Sequence, residues 1–298
     1  MHTENTADNL LSFADDLFQL NKIEEALQAY TDTYDLARKE FNRSIEVEAL
    51  SQMARMQLKL KDAQKGLELL KDAEDRATES DPLGWSRYLS VKGRFEWLSD
   101  SLEPARETFN SMFEFCQTNQ LWTRSVDAAN MMAIVSEHTE EQIEWSKRGI
   151  EAAEATDNER LLGPLWNNLA GTYYDNKDFE NALECYKKSR EYHWRFSGEN
   201  AKLFADYHIG MTYRLLKQFD EAKAWLRPVL AWAERMGNDS AIGQASEDLG
   251  EIEQFEGNKE TALSYFKHAR EAYQKAGFDE TWPEVWENII KRIRDVEG

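Results

Sequence analysis

The chain has 298 residues with 36 basic and 56 acidic side chains, a formal net charge of −20, 41% hydrophobic residues and only 14 Gly and 5 Pro. So few turn-formers in so long a chain leave little room for hairpins and predict an all-α protein. The charge argues against a nucleic-acid or anionic-membrane partner. No run of about 18 apolar residues exists to span a bilayer.

The predicted elements are pairs of helices that recur in register. A small residue in the first helix of each pair is followed by another in the second, at Ala14 and Ala26, Ala54 and Gly66, Gly93 and Ala105, then Ala170 and Ala182, Gly210 and Ala222, and Gly250 and Ala262. A fourth pair, Asn130 and Gln142, is the weakest match. The second-helix positions lie 40, 39, 37, 40, 40 and 40 residues apart. Four residues after each comes Tyr30, Leu70, Phe109, Ser146, Tyr186, Leu226 or Phe266, on the same helical face. Small residues admit close helix approach, and the large ones are expected to fill the gaps between neighbouring pairs. One pair cannot bury its apolar face alone, so the units must stack. The last segment, Thr281-Trp282-Pro283 and the amphipathic stretch after it, predicts a capping helix with Thr281 at its N-cap.

These units resemble the tetratricopeptide repeat family, with its W-x2-L-G-x2-Y and A-x3-F pattern. The best matches are Trp166, Leu169, Ala170, Tyr173, Ala182 and Tyr186; Ile209, Gly210, Tyr213, Ala222 and Leu226; and Leu249, Gly250, Ala262, Phe266 and Ala269. The period, near 40 rather than the usual 34, is that of the longer-repeat variety. The resemblance implies a right-handed α-solenoid of about seven helix pairs plus a C-terminal capping helix. The boundaries expected are a tail over residues 1–8, the solenoid over 9–280 and the cap over 281–298.

Chemistry has little purchase on this sequence. The histidines His2, His138, His193, His208 and His268 show no metal-ligand spacing, and Cys116 and Cys185 are too isolated for a disulfide framework or a cysteine-rich zinc site. Phosphate-loop, nucleophile-elbow and dinucleotide-turn motifs are absent. The expectation is a non-catalytic protein with no cofactor or metal, and the acidic N-terminus reads as lacking an export signal, so a cytoplasmic location is expected.

The resemblance implies that the first helix of each pair lines a concave groove. Aligning the units sends Arg55, Arg87, Arg94, Arg124 and Met131 into it, followed by Asn167, Asn168, Tyr174, Tyr207, Met211 and Arg214. Converging arginines would focus attraction on a carboxylate or phosphate, the asparagines would hold a peptide backbone, and the tyrosines and methionines would supply side-chain pockets. The competing reading is that these arginines pair with neighbouring acids such as Asp127 or Glu96 and merely neutralise the groove. Trp97, Trp122 and Trp194, near helix ends, fit either packing or partner anchoring.

The likeness to the family's chaperone carboxylate clamp is partial, because the expected lysines are missing. The period is also similar to Gram-positive pheromone receptors, whose N-terminal effector domain finds no room before a first repeat near Leu10. The functional expectation is a scaffold capturing an extended, anionic or carboxylate-bearing protein or peptide segment, as a monomer or weak homo-oligomer. The alternatives are a peptide-responsive regulator whose superhelix changes on binding and a self-assembling structural protein.

Overall fold

The computed structural model describes residues 6–99, 102–156 and 158–298, and no strand occurs among them. The chain forms two compact units, Met1–Asp157 and Asn158–Gly298. Together they hold the seven expected helix pairs, in a fold that is all-α and of the solenoid class.

The first unit contains four pairs: α1 (Ala7–Gln19) with α2 (Ile23–Glu40), α3 (Arg43–Lys59) with α4 (Ala63–Glu74), α5 (Pro82–Leu98) with α6 (Leu102–Thr118), and α7 (Trp122–Val135) with α8 (Thr139–Glu154). The first helices α1, α3, α5 and α7 also touch one another in succession, which makes them the inner layer of this unit. The second unit opens with a 3-10 turn at Glu159–Leu161. It continues as α9 (Leu162–Asp175) with α10 (Phe179–Phe196), α11 (Glu199–Leu215) with α12 (Phe219–Met236), and α13 (Asp239–Phe255) with α14 (Lys259–Lys275). It ends in a short α15 (Phe278–Thr281) and α16 (Pro283–Glu297).

In the first, second, fifth, sixth and seventh pairs the two helices are joined by a tight turn with one residue in the left-handed region: Asn21, Lys61, Lys177, Lys217 and Gly257 respectively. In the second pair the Asp62 amide reaches back to the Gln57 carbonyl at 2.9 Å, and its carboxylate accepts from the Lys65 amide. One residue thus closes one helix and caps the next. The fourth pair departs from this pattern: α7 ends in an extended Ser136, and the Gln142 side chain donates to the Ser136 carbonyl at 2.9 Å. Gln142, at the position of a small residue elsewhere, is therefore occupied in holding the turn, which accounts for the weak repeat signal there.

At three crossings small and large residues interlock within a pair, where the large residue was expected to fill the gap between pairs; Gly66 instead faces Phe95 of the next pair. A methyl group on Gly93 would meet the Phe109 ring at 2.6 Å, one on Gly210 would meet Leu226 at 2.8 Å, and one on Gly250 would meet Phe266 at 2.6 Å. Phe109, Leu226 and Phe266 are fully buried as a result.

Both ends differ from the sequence boundaries. Helix α1 begins at Ala7, whose amide points at the Glu40 carboxylate 3.3 Å away, so Ala7 and Asp8 are helical; residues 1–5 of the expected tail, His2 among them, lie outside the described residues. At the other end Thr281 is not an N-cap: it closes α15, its hydroxyl donating to the Gly277 carbonyl, and α16 starts from Trp282 with Pro283 as its first residue. Ile289 and Ile293 of α16 bury themselves against Ala262, Phe266, Ala269 and Tyr273 of α14, so the terminal helix does cover the last pair.

Candidate functional site

The inner layer of the first unit gathers the four predicted arginines, and three of them are already engaged. Glu48 on α3 is almost wholly buried and accepts from Arg87 Nε on α5 at 2.9 Å and from Arg124 Nη2 on α7 at 2.7 Å. Burial opposes its charge, yet the two guanidinium groups outweigh that and hold its carboxyl below the usual range. Asp127 on α7 takes Arg94 in a two-pronged contact, at 2.6 and 3.2 Å, and also accepts from the Ser90 hydroxyl at 2.7 Å. Its carboxyl is likewise depressed: burial works against ionisation, and Arg94 followed by Arg55 overcome it. Of the two acids named from sequence as possible partners, Asp127 is one. Glu96 instead accepts from Thr108 at 2.7 Å, and Lys92 stands 3.9 Å from it.

Arg55 is different. Its guanidinium lies 4.7 Å from the centre of the Phe18 ring, and it makes neither an ion pair nor a hydrogen bond among the described residues. Burial and then the neighbouring charge of Arg94 lower its pKa to about 10, with Asp127 offsetting part of the loss. It therefore stays charged at neutral pH at a cost in stability. Lys59, one turn on, lies over the same Phe18 ring at 5.8 Å, also without a carboxylate partner. One turn earlier, the buried Ser51 hydroxyl has no hydrogen-bond partner. Behind them, Asp15 accepts from Tyr30 at 2.6 Å and from Gln52 at 3.1 Å, and this network fixes α1 against α3. Met131 does not line this face: it is 4% exposed and packs with Ala105, Phe109, Met132 and Val135, because an apolar side chain at this position gains more from that cluster than from the charged inner layer.

In the second unit, Arg214 on α11 pairs with Glu251 and, at 2.8 Å, with Asp248, both on α13. Arg292 from the terminal helix pairs with Glu251 and, at 2.9 Å, with Glu247, while Tyr273 donates to Glu247 at 2.8 Å. Burial pushes the Asp248 carboxyl up to about 6, with Arg214 pulling the other way and Glu251 adding to the rise. Tyr207 is 8% exposed, set among Phe204, His208 and the core of this unit, so it is a packing residue and not an open pocket. Asn167 shares a 3.1 Å hydrogen bond with His208, whose ring burial lowers to a pKa of about 4, further depressed by His193. Asn168 is exposed, Tyr174 stands edge-on to Phe179, and Met211 is partly buried against the same core.

The sequence reading missed Phe18, Lys59, Glu48, Asp248 and Arg292 as members of these clusters. Glu48 lies 39 and 76 residues from the arginines it joins, so no local spacing signals it. Arg292 lies in the cap, where no repeat register exists to place it. Among the described residues no group of His, Cys, Asp or Glu could hold a metal ion, and no helix is long and apolar enough to cross a membrane.

Two stretches match tetratricopeptide repeat families, residues 163–190 and residues 201–275. Among curated proteins no match is found. Solved structures with the same fold include the apo form of RapI, at 17% identity and a TM-score of 0.70, covering 90% of this chain and 77% of that one. BtubC of P. vanneervenii aligns at 17% identity and a TM-score of 0.62, covering 72% of this chain and 92% of its own. Aspartyl phosphate phosphatase F of Bacillus subtilis aligns at 13% identity and a TM-score of 0.61, covering 99% and 84%.

Proposed function

We propose that this tetratricopeptide-repeat chain is a non-catalytic binding scaffold that captures a carboxylate-bearing segment of a protein partner at Arg55, on the inner layer of the first unit. Arg55 carries the reading. In a chain of net charge −20, this guanidinium is part-buried, its charge disfavoured by burial and by Arg94, and it has no ion pair of its own among the described residues. A cation so placed gains more from an incoming anion than an exposed one would, because the penalty it already bears is relieved on binding. Lys59 adds a second positive charge over the same ring, and Phe18 offers an apolar surface for the side chain beside the carboxylate.

Arg87, Arg94 and Arg124 support the site by positioning: their acids hold the three inner helices together, so replacing them would disturb the fold before it tested binding. The informative variants are Arg55→Gln and Arg55→Lys. A panel of acidic peptides, each with a free and an amidated C-terminus, is titrated against the wild-type chain and both variants. The expected result is that at least one free-carboxylate peptide binds, that amidation weakens it, and that Arg55→Gln loses about tenfold or more while Arg55→Lys retains part of the affinity. Equal binding to wild type and Arg55→Gln, or indifference to amidation throughout, would remove the site from Arg55.

A further inference from the structure

Helix α4 is the shortest of the paired helices, at 12 residues, where the other second helices have 16 to 18. Its close contact with α5 is at Gly66, where an added methyl group would strike the Phe95 ring at 2.7 Å. Beyond that point a cleft of about 650 Å³ opens between α4, α5 and the end of α3, lined by Leu58, Leu67, Leu70, Tyr88, Phe95 and Leu98. Its size falls in the range of about 300 to 1,000 Å³ typical of small-ligand sites, and its walls are mainly apolar.

Two observations say what it would take. Leu67 follows the small residue Gly66 as Leu183 follows Ala182, the same register position in another pair; Leu183 is 6% exposed, whereas Leu67 is 49% exposed. A position filled by aliphatic contacts elsewhere is thus open here, with Leu98 also exposed across the gap. The rim charges are not equivalent. Glu74 is engaged by the Tyr88 hydroxyl at 2.8 Å and Glu96 by Thr108 at 2.7 Å, with Lys92 standing 3.9 Å from Glu96. Lys71 has no ion pair or hydrogen bond among the described residues. Glu74 and Glu96 are carboxylates with donors of their own, so an apolar slot in which Lys71 is the cation without a partner among the described residues complements a molecule with an aliphatic body and a single anionic head placed at Lys71.

We propose that the cleft between α4 and α5 is a second binding site, separate from Arg55, for a small aliphatic carboxylate, with the chain against Leu67, Leu70, Phe95 and Leu98 and the head group at Lys71. The test is calorimetric titration of the full chain with decanoate below its micellar concentration, in parallel with decanol. The wild-type chain is expected to bind decanoate at one saturable site. Leu67→Glu and Leu98→Glu, both at exposed helical positions, are expected to abolish binding while leaving the melting temperature near that of wild type. Lys71→Glu is expected to weaken decanoate about fivefold or more and to leave decanol unaffected. No saturable decanoate binding, or undiminished binding in both Glu variants, overturns the proposal. It is equally overturned if decanoate fails to bind and Leu67→Glu instead abolishes a concentration-dependent dimer, since a second copy would then be the cover.

Discussion

Glu48 and Arg124 stand 76 residues apart in the chain and meet at 2.7 Å, tying the second helix pair to the fourth, with Arg87 of the third pair on the same carboxylate. Three successive inner helices thus share one nearly buried acid. Helical stacking alone sets the spacing of neighbouring pairs; this junction adds a contact that skips a pair and so resists relative bending within the first unit.

Removal of that acid leaves two guanidinium groups facing each other in a desolvated setting. Glu48→Gln is expected to destabilise the protein by about 3 to 5 kcal/mol, the range seen when one partner of a buried ion pair is lost. Urea unfolding followed by circular dichroism checks this. A loss below about 1 kcal/mol would mean that the junction is not a net support.

The pH dependence has two opposed parts. Glu48 and Asp127 have folded pKa values below their unfolded ones, so their stabilisation is fully present above the unfolded carboxylate range near pH 4 and is lost as pH falls through the lower folded values. Asp248 behaves inversely: its folded value of about 6 exceeds the unfolded value, so the folded state binds the extra proton and stability falls as pH rises from about 4 through 6. The Asp248 contribution is on the order of 2 to 3 kcal/mol. Asp248→Asn is expected to remove the stability gained on acidifying from pH 7 to pH 5, leaving the loss below pH 4 in place; thermal melts across that range check both.

Two glycines on the first helices of their pairs are expected to respond in opposite directions to the same substitution. Gly93→Ala drives a methyl group into the fully buried Phe109 ring and is expected to cost about 1 to 3 kcal/mol. Gly171, within α9, has nothing within 4 Å of the added carbon, so Gly171→Ala is expected to stabilise by up to about 1 kcal/mol through helix propensity. Chemical denaturation of the two variants side by side separates packing from propensity.

The terminal helix is expected to matter through its buried isoleucines and through Arg292. Ile289→Ala, at a position with no exposure, should cost about 2 to 4 kcal/mol. Hydrogen exchange should show the protection loss concentrated in α14, against which Ile289 packs. Uniform loss throughout the chain would mean that the cap acts on more than its neighbour.

The number of helix pairs, their order and the residues at their crossings were written in the sequence, because small and large residues recur at a fixed spacing and each repeat solves the same local packing problem. Gly93 and Gly250 are legible as sites of close approach for that reason, but that Phe109 and Phe266 close on them within the same pair is decided by packing. The charged side chains of the inner layers were not legible. Alignment by register places Arg55, Arg87, Arg94 and Arg124 on one face, but their partners come from other pairs, 33, 39 and 76 residues away for Arg94, Arg87 and Arg124. Which of the four lacks an acid depends on how far each flexible side chain reaches across neighbouring helices. Met131 went the other way: its apolar side chain packs with Ala105, Phe109, Met132 and Val135, a cluster that exists only once α6 and α7 have met. Local spacing along one chain determined the architecture. Desolvation and the meeting of distant charges, which exist only once the helices have packed, decided that Arg55, of these four arginines, would be the one without a carboxylate among the described residues.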